Sequence, residues 1–167
     1  MNRRSLTPLF HILAVSVGLI HTSSADLTIT ELLAININGP ADKDGDHSAW
    51  IEIHNDLGEE TNLTDWYLTN DPDDLTKWKI PRGKIPANGY GLVYVSGKDI
   101  SGTLFNPEVH ASFKLAIGID YLALVQPDGT TIAHAYEDLP SQRSGFSYGL
   151  DADGEQTLFQ TATPLEA

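Results

Sequence analysis

Three sets of side chains have the types and spacing to do chemistry. The first is Gly145-Phe146-Ser147-Tyr148-Gly149, a G-x-S-x-G match. In a hydrolase that motif makes a tight strand-to-helix turn that exposes the serine as a nucleophile. Here an acidic turn, Asp151-Ala152-Asp153-Gly154, follows in place of a helix. The order such enzymes use also needs a histidine after the serine, and the last histidine is His134. The residues around Ser147 alternate as a plain strand does. A serine hydrolase using Ser147 is a remote alternative. No residue receives a catalytic role, and the expectation is that the chain is not an enzyme.

The second set is Asp42-Lys43-Asp44-Gly45-Asp46. Hard oxygen ligands at alternate positions suit calcium, and extracellular sites fill at roughly millimolar concentration. The helix–loop–helix calcium motif is not matched. Its glycine position holds His47 and its terminal glutamate position holds Ile53. Two readings stay open: a weak calcium site formed by Asp42, Asp44 and Asp46, or a solvated turn in which Asp and Gly supply backbone geometry. No cofactor is required, and calcium is the one candidate. Asp71-Pro72-Asp73-Asp74 and Asp151-Ala152-Asp153-Gly154-Glu155 read as further acidic, solvated turns. The third set is aromatic. Trp78 stands alone on its strand face between Lys77 and Lys79, which makes it the candidate platform for a sugar ring, against the core role that strand aromatics more often take. His47, His54, His110 and His134 are scattered, and none is paired at a zinc-ligand spacing. Asn62-Leu63-Thr64 is a glycosylation sequon, which suits a surface loop.

Charge and composition narrow the classes. The chain has 10 basic and 23 acidic residues, a net charge of −13. Such a surface repels phosphate backbones, so nucleic acid is not an expected partner. There are no cysteines, which removes disulfides, thiolate metal sites and cysteine nucleophiles. Residues 1–25 read as a signal peptide. Arg3 and Arg4 supply the positive start, an apolar run follows, and Ser23-Ser24-Ala25 offers small residues for cleavage before Asp26. The apolar run is about 15 residues, short of the roughly 20 that span a bilayer. No later stretch is apolar enough to span, so no membrane span is expected after cleavage. The expected location is secreted, periplasmic or at the cell envelope.

The elements that would position these side chains are strands. The apolar pattern alternates with period two, as in Leu27-Thr28-Ile29-Thr30-Glu31-Leu32 and in Trp50-Ile51-Glu52-Ile53-His54. Leu63–Thr69, Lys77–Ile80, Gly91–Val95, Tyr121–Val125, Thr130–Ala135, Ser144–Tyr148 and Thr157–Phe159 complete the set. Pro127-Asp128-Gly129 predicts a hairpin between the strands around it. Trp66 and Tyr67 point to opposite faces, so at least one belongs to the core. Roughly eight to ten short strands with frequent turns predict an all-β sandwich or barrel in one domain, residues 26–167.

Taken together, several of these phrases resemble the lamin-tail domain family. They are Ile29-Thr30-Glu31-Leu32-Leu33-Ala34, Asp46 to Asn55 around Trp50-Ile51-Glu52-Ile53, Leu63-Thr64-Asp65-Trp66-Tyr67-Leu68-Thr69, Ile85-Pro86-Ala87-Asn88-Gly89-Tyr90, Phe113-Lys114-Leu115, Tyr121 to Val125, and Ser147-Tyr148-Gly149. The resemblance covers residues 27 to 165. It implies an immunoglobulin-like β-sandwich and a job in interaction or attachment, with a protein or glycan partner. It transfers no catalytic residue. The rod, the basic import cluster and a prenylation motif at Leu165-Glu166-Ala167 are missing, so the nuclear role of lamins is not carried over. Contacts are expected on the loops 38–49, 70–76 and 97–112, because binding residues concentrate on loops held by rigid sheets. The alternative is a structural or self-assembling fragment of a larger exported protein, joined through an edge strand.

Overall fold

The computed structural model describes residues 27–102 and 108–165; the expected signal peptide lies outside them. The described residues form strands and no helix, so no helix is long and apolar enough to cross a membrane. In chain order the strands are β1 (Leu27–Leu33), β2 (Trp50–Asn55), β3 (Thr61–Asn62), β4 (Tyr67–Thr69), β5 (Trp78–Lys79), β6 (Lys84–Ile85), β7 (Tyr90–Tyr94), β8 (Tyr121–Val125), β9 (Ile132–Glu137), β10 (Ser147–Leu150) and β11 (Gln156–Phe159). The eleven strands slightly exceed the expected range because β3 and β6 are two-residue strands paired with each other, too short to show any alternation.

A five-stranded sheet, β11-β10-β1-β2-β7, faces a four-stranded sheet, β5-β4-β8-β9, and every strand pair is antiparallel. Alternation explains the layering. Ile29, Leu32, Ile51, Ile53 and Val93 turn one face of the larger sheet onto Leu68, Leu122, Leu124 and Tyr136 of the smaller one, and all are fully buried. Each such side chain contributes about 1.5–3 kcal/mol on leaving water. Trp66 packs against this core, while Tyr67 packs with Leu75 against the other face of β8. The predicted hairpin forms between β8 and β9. Its turn takes in Thr130 and Thr131, whose N–H groups donate to Asp128 Oδ1 at 2.9 and 2.8 Å, so β9 starts only at Ile132.

The register of β1 against β2 slips between Ile29 and Glu31, which makes Thr30 the extra residue of a β-bulge. Two neighbours are fitted to it. Gly149 on β10 lies beside the bulge, and a Cβ there would overlap the Thr30 carbonyl oxygen. Only glycine tolerates such an approach. From the opposite sheet, the fully buried Tyr136 donates its hydroxyl proton to the Ile29 carbonyl at 2.9 Å. Gly149→Ala is therefore expected to lower stability by about 1–3 kcal/mol through backbone displacement. Tyr136→Phe should lose about 1 kcal/mol by removing that buried hydrogen bond. Chemical denaturation of both variants measures the two effects.

Candidate functional site

The three aspartates of the acidic loop do converge. Carboxylate oxygens of Asp42, Asp44 and Asp46 lie within 4.8 Å of one another. What they converge on is Lys98, whose Nζ stands 2.6 Å from Asp42, 2.9 Å from Asp44 and 2.9 Å from Asp46. Asp42 is the hub. Its Oδ1 accepts the N–H groups of Asp44 and Asp46, each at 3.0 Å, and its Oδ2 accepts the Ser48 hydroxyl and the Lys98 ammonium. Burial alone would raise the Asp42 carboxyl. Lys98 and these donors outweigh burial and hold it at about 2, against an ordinary 3.8. An ammonium thus occupies the centre that a divalent cation would need, and calcium enters this loop only by displacing Lys98.

The loop is closed by its backbone as well. Asp42 N–H donates to Asp46 O, Gly45 N–H donates to Asp42 O, and Gly45 takes a φ of 84° that favours glycine. The turn from Asp151 to Glu155 repeats the pattern bond for bond. Asp151 N–H donates to Glu155 O, Gly154 N–H to Asp151 O, and Asp151 Oδ1 accepts the N–H groups of Asp153 and Glu155. The spacing Asp-x-Asp-Gly-acid is a backbone recipe in both places, whatever cation lies nearby.

The other residues expected to act are placed differently. Trp78 is only 6% exposed, lies in the main core, and donates its indole N–H to Asp99 at 3.1 Å. It presents no open ring face, so it is not the sugar platform; its isolation between two lysines marks the core face of β5. Ser147 is fully buried in β10, opposite Phe159. Among the described residues its Oγ has no partner at hydrogen-bonding geometry, and no histidine of that set reaches it. Both glycines of its motif serve the backbone: Gly145 takes a φ of 76° in the preceding turn, and Gly149 makes room for the bulge.

A serine, a histidine and a carboxylate that local pattern does not connect lie together elsewhere. Ser96 Oγ is 2.9 Å from His110 Nδ1, and Glu108 Oε2 is 3.6 Å from His110 Nε2. The last distance is too long for a hydrogen bond. Among the described residues Nε2 has no partner, Glu108 accepts the Lys43 N–H instead, and the ring is fully buried against Tyr94. The three do not close a catalytic relay. They pin the 96–98 turn to the 108–111 segment, and with Lys98 they tie the loops 38–49 and 97–102 into one end of the sandwich. Among the described residues the histidines do not gather into a metal-ligand set.

The outward face of the five-stranded sheet carries the remaining chemistry. Glu31 and Glu52 sit directly opposite each other on β1 and β2 and are almost wholly buried. The segment 162–165 covers them. Glu31 accepts the N–H and hydroxyl of Thr163, Glu52 accepts the N–H of Leu165, and Ala162 packs on Leu33, Trp50 and Tyr94. Burial pushes the Glu31 carboxyl up, with nearby Ser147 and Thr163 pulling against it; burial pushes Glu52 up too, and the charge of Glu31 adds to that.

Beside this strap the sheet face stays open as a trough of about 670 Å³. Each of the five strands contributes to it in spatial order: Phe159 from β11, Leu150 from β10, Thr30 from β1, His54 from β2 and Tyr90 from β7. The His54 and Tyr90 rings lie 4.4 Å apart, and Thr30 Oγ1 donates to Glu52 at 2.6 Å. Asp56 and Asp151 also line the trough. Sequence alternation already placed Glu52 opposite the core face, but joining five strands into one surface needs the sheet order, which no local pattern carries. No family model matches the chain, and no curated protein is found to be similar to it.

Two outcomes follow from these charges. Lys98→Met leaves three carboxylates unneutralised, so its melting temperature should fall, and roughly millimolar calcium should recover part of the loss. Unchanged melting with and without calcium in this variant would contradict the account. The carboxyls of Glu31 and Glu52 lie above their ordinary 4.5 in the folded state, so the stability they contribute is complete below 4.5 and is lost as pH rises through their folded values. Glu31→Gln is expected to shrink the loss of stability between mildly acidic and neutral pH, measured by denaturation across that range.

Proposed function

We propose that the protein is an exported, non-catalytic interaction and attachment module of the lamin-tail type, holding a protein or glycan partner at the cell envelope or outside the cell. The observation that carries this reading is the open trough across all five strands of one sheet. A rigid, half-apolar surface with a few polar groups is what a binding face requires. The leader-like residues 1–25 support export. The strand phrases shared with lamin-tail domains support an attachment role, by analogy of fold. In this reading the contact face is the sheet rather than the loops 38–49, 70–76 and 97–112. Lys98 of the loop 97–102 is taken up by Asp42, Asp44 and Asp46 of the loop 38–49.

A second reading, self-assembly through an edge strand, is favoured by Ile132. It is 43% exposed on β9, at the edge of the smaller sheet. Light scattering after size exclusion separates the two readings, since the first predicts a monomer that captures a partner. Immobilised protein should retain a component of an envelope extract or a glycan from an array, and Tyr90→Ala should release it. An empty extract together with a flat array would contradict the proposal, as would capture that survives loss of the trough side chains.

A further inference from the structure

We infer that the trough takes a glycan chain free of anionic groups, laid across the strands from Phe159 to Tyr90. This inference rests on the interaction reading and names the partner's class. Four strand-to-strand steps separate β11 from β7, which makes the trough about 19 Å long. That is a length for a chain of sugars rather than for one.

The chemistry along it fits that occupant. Phe159 lies at one end, with His54 and Tyr90 at the other, half-buried rings suited to the apolar faces of sugars. Between them Thr30 has its proton committed to Glu52, so its oxygen is set to accept from a ligand hydroxyl. Asp56 and Asp151 add acceptors for hydroxyl or amino groups.

Two observations favour such a chain over other partners. No lysine or arginine among the described residues lines the trough, whereas Asp56 and Asp151 do, so a uronate, sulfate or phosphate meets like charge there. An extended peptide would need unpaired main-chain groups, as at a sheet edge. Along the trough β2 is paired on both sides, and β1 is paired with β2 throughout and with β10 at Glu31 and Leu32, so the floor offers mainly side chains. A sugar chain carries its own donors and acceptors and does not need a backbone edge.

Calorimetry with three soluble hexasaccharides tests this: one of neutral hexoses, one bearing free amino groups, and one of uronic acids. The neutral or the amino chain should bind, and the uronate should not. Tyr90→Ala and Phe159→Ala, at opposite ends, should each weaken binding about tenfold. Asp56→Asn should weaken the amino chain more than the neutral one. Circular dichroism of each variant confirms that it folds, and Phe159→Leu, which keeps the bulk and removes the ring, should reproduce the loss. Binding of the uronate alone, binding indifferent to both aromatic variants, or no binding of any of the three overturns the inference. If no sugar binds but a protein partner is captured in a Tyr90-dependent way, the glycan class is wrong and the interaction reading stands. If nothing is captured either, both fail.

Discussion

The bulge at Thr30 is the constraint on which the rest of the structure depends. An extra residue in β1 lets Thr30 and Glu31 both serve the outward sheet face, where regular alternation would allow only one. It brings the Thr30 carbonyl so close to β10 that only a glycine, Gly149, fits beside it. Beside it the Ile29 carbonyl accepts the Tyr136 hydroxyl, which fastens one sheet to the other. Thr30 then bonds Glu52, Glu31 and Glu52 hold the strap at Thr163 and Leu165, and the strap forms one wall of the trough. Sandwich, strap and trough share one local irregularity.

The charges divide into two economies. In the loop at 42–46, a strongly acidic sequence is neutralised internally: one lysine satisfies three aspartates, and a buried carboxylate caps the turn it belongs to. On the sheet, two carboxylates face each other with no cation among the described residues beside them and are held by neutral N–H and hydroxyl donors. The first arrangement favours ionisation and the second opposes it. Acid therefore acts on them in opposite directions, and the carboxyls that burial raises respond first as pH falls from neutrality.

Most of the fold was legible because alternation and turn chemistry are local. Trp50-Ile51-Glu52-Ile53-His54 sorts its own residues between two faces, and Pro127-Asp128-Gly129 writes its own hairpin. Alternation does not say which face is the core: a tryptophan alone on one side of a strand fits a buried site as well as an open platform, and Trp78 takes the buried one. The convergence of Asp42, Asp44 and Asp46 was readable from their spacing. Lys98, 56 positions from Asp42, was not, because a salt bridge at that separation is set by how two loops meet. The trough was out of reach for the same reason. Its side chains come from β11, β10, β1, β2 and β7, and only the strand order makes them neighbours. The G-x-S-x-G motif shows the converse: its final glycine is required by the bulge next door, which no local pattern reveals.

The central claim is that the partner lies on the sheet face rather than on the loops at the end of the sandwich. The most direct measurement is the side-chain NMR spectrum of the protein as the captured partner is added. The account predicts shifts in the His54, Tyr90 and Phe159 ring signals and in the Thr30 methyl, with Lys98 and Ser48 unmoved. Shifts confined to Lys98, Ser48 and their loops, with the three rings unchanged, would contradict it.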